Sequence, residues 1–146
     1  MSTRAVIIIK DETSEVMLYR HSDGYPKCTG ADLVEFIQGY YSGAMRDNVS
    51  QSAGWLIVKG HFNSDYHERP TGKPTTEGYS GWKVGAYEPG ASLGMWEEYI
   101  YIIDLDKKTL ACRVPGAGYD DKPTLKNTRA CAEFPTVSFA KEPVAV

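Results

Sequence analysis

The residues best suited to chemistry lie in one short run, Arg20-His21-Ser22-Asp23-Gly24-Tyr25-Pro26. A turn needs Asp, Gly or Pro, but it has no need of Arg, His and Tyr as well. A loop that carries function on a rigid scaffold has this composition. Arg4 precedes an apolar run, Ala5 to Ile9, and Arg20 closes a second one, Val16 to Tyr19. If the two runs pair, Arg4 and Arg20 lie near the same end of a hairpin. Two guanidiniums there would clamp a phosphate or pyrophosphate through bidentate bonds. His21 and Tyr25 would donate to sugar hydroxyls or stack on a base. The residues also allow a purely structural role, with Arg20 paired to Asp23 to fix the loop and His21 at the surface.

A second constellation is aromatic. Trp82, Tyr87 and Trp96 surround the turn-rich stretch 88–94. A tryptophan at a pocket mouth there would stack on a base, worth about 1–3 kcal/mol; packing beneath helices is the alternative use. Other chemistries are poorly served. His21, Asp23, His61, Asp65 and His67 lack the spacing of a metal site, and no metal or cofactor is expected. There is no Gly-x-Ser-x-Gly elbow and no cysteine with an identifiable base. Glu97 and Glu98, adjacent on an expected strand, would face opposite ways. Asp120-Asp121 in a Pro/Gly-rich stretch reads as solvated. Glycines at 90 and 94, or at 78, 81 and 85, read as turns, because no Gly-Lys-Ser/Thr step follows them.

The positioning elements follow from periodicity. Residues 4–9 read as a buried strand and 16–20 as its antiparallel partner. Leu33, Phe36, Ile37, Tyr40 and Tyr41 recur at helical spacing, predicting a helix near 30–42. Thr29 would cap it, with Asp32 in the capping-box position and Gly43 as the stop. A second helix is expected near 48–60, started by Asn48 with Gln51 and ended by Gly60. Residues 61–80 read as a long loop. Strands are expected at 82–87, 96–103 and 109–114, the last two as a hairpin, and 136–139 as an edge strand. The fold class is therefore α+β: an antiparallel sheet, elements in the order ββααβββ, with two helices on one face. Residues 1–114 form the domain, and 115–146 form a Pro-rich C-terminal extension packing on it or on a neighbouring subunit.

Bulk properties narrow the classes. The chain has 146 residues, enough for one domain with a core. Its net charge of −3 argues against polymeric nucleic acid or an anionic membrane as partner. A local cluster of two or three arginines remains sufficient for a small anion, and Arg113 is the third candidate. Cys28, Cys112 and Cys131 make an odd, scattered set that suits reduced thiols. Without a signal pattern or an apolar run of membrane length, a cytoplasmic location is expected. The long 61–80 loop and apolar residues in the extension suggest a homo-oligomer.

The opening Ser2-Thr3-Arg4-Ala5 with its strand, followed by Tyr19-Arg20-His21-Ser22-Asp23-Gly24-Tyr25-Pro26, resembles a family of small phage and prophage proteins. Within that group the resemblance is to the Thoeris anti-defence sponges, which sequester cyclic ADP-ribose-type immune signals. It covers residues 2–26 well and 27–113 in outline. It departs at Ser22, where an aromatic is expected. The resemblance implies a non-enzymatic protein that captures a small cyclic nucleotide without cleaving it. Taken with the residues, it makes Arg4, Arg20, His21, Asp23, Tyr25, Trp96 and Arg113 the candidate ligand-binding set. A protein that blocks a host defence effector by surface contact (anti-CRISPR-like) is the alternative, and a small nucleotide-processing enzyme built on His21 and Asp23 is a third.

Overall fold

The computed structural model describes residues 3–43, 45–63 and 87–139. Five consecutive buried residues, Ala5 to Ile9, make the first strand, β1 (Ala5–Lys10), the centre of the sheet. A strand apolar on both faces must be covered on both. It pairs antiparallel with β2 (Glu15–Arg20), in the register Ala5↔Arg20 to Lys10↔Glu15. The turn between them is tied by Asp11, whose carboxylate accepts the backbone N–H groups of Thr13 and Ser14 at 2.9 and 2.8 Å.

Two helices follow, α1 (Ala31–Ser42) and α2 (Val49–Asn63). Helix α1 buries Leu33, Phe36 and Ile37, and Gly43 stops it in the left-handed conformation with φ 75°. The expected capping box is absent. Residues 26–30 form a π-helical turn leading into α1, and the Thr29 hydroxyl donates instead to the Asp23 carbonyl at 2.7 Å. Asp32 faces inward to other partners. Asn48 does cap α2, accepting the Gln51 N–H at 2.7 Å, while Gln51 reaches Arg46 rather than Asn48. Helix α2 continues past Gly60, and it turns Leu56 to the core but Trp55 and Val58 to the surface.

The remaining strands are β3 (Tyr87–Pro89), β4 (Tyr99–Asp104), β5 (Thr109–Pro115), β6 (Thr128–Ala130) and β7 (Val137–Ser138). The sheet order is β3-β2-β1-β4-β5-β6, with β7 also on β5. The fold class is α+β, and the element order matches the expected ββααβββ through β5, after which β6 and β7 are added. The sheet, however, is mixed: β1 and β4 run parallel, register Ala5↔Tyr99 to Lys10↔Asp104. The physical reason is the path of the chain: after the helices it returns as β3 on β2, and residues 90–98 then cross the face opposite the helices, with Leu93 packed against Val6 and Ile8, to set β4 beside β1. The β4–β5 hairpin forms as expected. Of the strand expected at 82–87, only Tyr87 falls within the described residues, in β3. The 61–80 loop lies largely outside them.

The helices and their main cluster cover one face, which carries Ala5, Ile7, Ile9, Leu18, Tyr101 and Leu110. The other face carries Val6, Ile8 and Ile100, covered by Leu93, Tyr119 and Leu125. Loops, rather than helices, therefore close that side. Beyond residue 114, β6 and β7 hydrogen-bond to β5, and Phe139 is buried in the main cluster. Among the described residues no helix is long and apolar enough to cross a membrane.

Candidate functional site

Strand alternation separates the two arginines expected to act together. Arg20 opposes Ala5, so it points to the helical face; Arg4, one residue before Ala5, points to the opposite face. The two-guanidinium clamp expected at this end of the hairpin is not formed. Arg20 is 6% exposed. Its Nη1 donates to the Tyr87 hydroxyl at 3.0 Å, its Nε donates to the Ser22 carbonyl at 3.1 Å, and its Cζ lies 5.0 Å from the Tyr87 ring centroid. Tyr87 in turn donates to Asp32 at 2.5 Å. Asp32 also receives Lys59 at 2.7 Å and has Arg20 at 3.6 Å. Burial and then the Asp32 charge push the Tyr87 hydroxyl well above its ordinary range, so it remains a proton donor. This chain of groups ties β2 and β3 to both helices.

The loop after Arg20 is stitched into the same framework. Asp23 adopts φ 58°, and its carbonyl accepts both the hydroxyl and the N–H of Thr29. The Tyr25 hydroxyl donates to the Asp23 carboxylate at 3.3 Å. Gly24 donates to the Thr3 carbonyl at 2.8 Å and accepts the Tyr101 hydroxyl at 2.7 Å. A Cβ on Gly24 would stand 2.8 Å from that of Ala5, so only glycine fits there. His21 Nδ1 shares a hydrogen bond of 2.8 Å with the Tyr19 hydroxyl.

On the far face, Arg113 donates to the Thr128 hydroxyl and carbonyl at 2.6 and 2.9 Å, fixing the start of β6. The Arg4 carbonyl receives the Glu98 N–H at 2.9 Å, and the buried Arg4 Nε has no hydrogen-bond partner among the described residues. Arg4, Glu88 and Glu97 all act on Tyr19, whose hydroxyl is raised mainly by burial.

Trp96 differs from the rest of the set. It is 80% exposed and holds φ 65°, a left-handed conformation that costs a residue bearing a side chain about 1–2 kcal/mol. Trp96 and Glu97 therefore stand outside β4, which begins at Tyr99 rather than at 96. The local cause is Glu97. Its buried carboxylate accepts the N–H groups of Gly94 and Met95, at 2.9 and 2.6 Å, and the Tyr119 hydroxyl. Gly94 enters the turn at φ 94°, where a Cβ would stand 3.0 Å from the Pro123 side chain. The turn is pinned from inside, and Trp96 is its outward corner.

Trp96 overhangs a cavity of about 510 Å³ where β4 begins and β5 and β6 end. Glu98, Tyr99, Val114, Asp120, Arg129, Cys131 and Glu133 are among its lining residues. An adjoining cavity of about 210 Å³ shares Trp96, Glu97 and Asp120 and is closed by Gly94 and Tyr119. A flat aromatic surface, one guanidinium and several carboxylates thus converge on one concave region. The aromatic would stack on a planar group, the carboxylates would accept hydroxyl and amine hydrogens, and Arg129 would take a single anionic group. Arg20, His21, Asp23, Tyr25 and Arg113 line neither cavity. Sequence reasoning singled out Trp96 and weighed Glu98 only with Glu97, and it did not name Arg129 or Glu133; Asp120, read as solvated, is exposed. Arg129 and Glu133 come from the extension, where no local signal marked them.

Among the described residues, no group of three His, Cys, Asp or Glu side chains is placed to hold a metal ion. His61, Asp65 and His67 fall where side-chain positions are not described. The chain matches no family model, no curated protein and no solved structure.

Proposed function

We propose that this protein binds and sequesters a small nucleotide, of the cyclic ADP-ribose type, and releases it unchanged. Trp96 carries the reading: a strained, outward-held indole above a cavity large enough for a nucleoside. Pocket volumes of roughly 300–1,000 Å³ are usual for small ligands. Trp96 stacks on the base. Glu98, Asp120 and Glu133 accept the ribose hydroxyls and the exocyclic amine, and Arg129 meets a phosphate at the rim. Because carboxylates outnumber the guanidinium, the nucleoside part sits in the cavity and the phosphates face outward; adenosine alone should therefore compete. In the phage anti-defence role that the opening segment suggests, such capture in the host cytoplasm would withhold an immune signal from its receptor.

A second reading is favoured by a different observation. Trp55 and Val58 stand 50% and 42% exposed on α2, and Trp55 lines a groove with Phe36, Gly39 and Met45, flanked by Glu35 and Lys59. Exposed apolar surface of this kind suits a protein partner, either a host effector or a second copy of this chain. One experiment separates the readings. The protein is incubated with cyclic ADP-ribose, freed of excess, heat-denatured, and the supernatant analysed. Intact ligand supports capture, a cleaved product would mean an enzyme, and an empty supernatant would leave the surface inhibitor. Light scattering at micromolar concentration reads self-association directly.

A further inference from the structure

We propose that Cys112 and Cys131 form a dithiol/disulfide pair that exchanges with small disulfides entering through the Trp96 cavity. The two cysteines are far apart in sequence but direct cross-strand neighbours. The β5–β6 register pairs Arg113 with Ala130, so the next position outward pairs Cys112 with Cys131, and the Cys131 N–H donates to the Cys112 carbonyl at 3.1 Å. Directly opposed residues of an antiparallel pair share a face. Their Cα atoms lie about 5.5 Å apart when the pair is hydrogen-bonded. That separation falls within the roughly 4.4–6.8 Å that a disulfide spans. Both side chains are buried in the main cluster, and Cys131, 5% exposed, lines the cavity wall. Cys131 lines the cavity and Cys112 does not, so Cys131 meets the incoming disulfide first, while burial pushes the Cys112 thiol up.

Cys131 loses its proton to water, and its thiolate attacks one sulfur of the incoming disulfide. The S–S bond breaks, and one thiolate leaves and takes a proton from water. Cys112 then loses its proton to water and attacks the Cys131 sulfur of the mixed disulfide, expelling the second thiolate, which takes a proton from water. The protein loses two hydrogens and the small disulfide is reduced to two thiols, so no other oxidant is required. The acidic wall formed by Glu98, Asp120 and Glu133 suits a cationic disulfide.

The probe is cystamine, applied to full-length protein carrying Cys28→Ala so that only this pair can respond. Intact-mass analysis should show the loss of two hydrogens with no adduct, reversed by a thiol reductant. Adding Cys112→Ser should trap a stable cysteamine adduct on Cys131, and adding Cys131→Ser should abolish reaction in the folded protein. An adduct that persists while both cysteines are present would overturn the proposal. So would an unreactive pair at concentrations that modify Cys28 in the natural chain. Should either serine variant fail to fold, peptide mapping of the oxidised Cys28→Ala protein decides instead, through the presence or absence of a Cys112–Cys131 cross-linked peptide. No nucleotide enters this experiment, so its result is independent of the capture reading.

Discussion

The network around Arg20 and the corner around Trp96 use similar residue types to opposite ends. Around Arg20, guanidinium, phenol, carboxylate and ammonium are buried and bonded to one another across β2, β3, α1 and α2. Around Trp96, an indole projects at φ 65°, and Arg129, Glu98 and Glu133 stand at the surface of a cavity. The first region uses its polar groups to fix the fold. The second spends backbone strain to hold a side chain away from the core, as functional sites commonly do. A cluster of chemically capable residues is therefore a poor guide to function until its partners are known.

The sharpest way to break this contrast is Arg20→Ala. Removing the guanidinium takes a charged donor from the buried Tyr87 hydroxyl and from the Ser22 carbonyl, while Asp32 keeps Lys59 as its cation. Losing charged hydrogen bonds of this kind costs about 1.5–3 kcal/mol. Denaturant unfolding should report a loss of that order; a loss below about 1 kcal/mol would make the network peripheral.

Alkali should act on the same region. Burial raises Tyr87 and Tyr101 above the unfolded value of about 10. A phenol raised in the folded state binds more protons there than when unfolded. Its contribution is therefore complete below about pH 10 and is lost as the pH rises beyond it. Unfolding free energy measured from pH 9 upward, on an approximate scale set by that value, should bend downward; a flat profile would mean the phenols are solvated.

Trp96→Gly sharpens the contrast from the other side. Glycine accepts φ 65° without a Cβ penalty but gains freedom when unfolded. Thermal unfolding should therefore shift by no more than about 1 kcal/mol in either direction. A larger loss would show that the indole packs rather than projects. The smallest expected effect is at Asp11, whose carboxyl the N–H groups of Thr13 and Ser14 hold below its ordinary range. A group lowered on folding contributes above its unfolded value and loses that contribution as the pH falls. Asp11→Asn should therefore lower stability slightly at neutral pH, flatten its acid limb and leave ligand capture unchanged.

The sequence made the elements legible because their signals are local. The apolar run 5–9, the stripe Leu33–Phe36–Ile37 and the β4–β5 hairpin need no distant partner to be recognised. The parallel β1–β4 pairing was hidden, since the connection's path over the sheet decides it. Arg4 and Arg20 read as a pair because they sit at one end of a hairpin, yet alternation sends them to opposite faces. Asp32 read as a helix cap because its spacing from Thr29 fits one, whereas its partners, Tyr87 and Lys59, lie 55 and 27 residues away in sequence. Trp96 was identified from aromatic clustering alone. The wall beneath it could not be, because Arg129, Cys131 and Glu133 reach it only through the β5–β6 pairing.

The central claim is that the Trp96 cavity, rather than the Arg20 loop, holds the ligand. Calorimetric titration of cyclic ADP-ribose into the natural protein and into Trp96→Ala tests it most directly. The account predicts binding by the natural protein and a loss of about 1–3 kcal/mol in the folded variant, the worth of one stacked base. Equal affinity in the two proteins would contradict it.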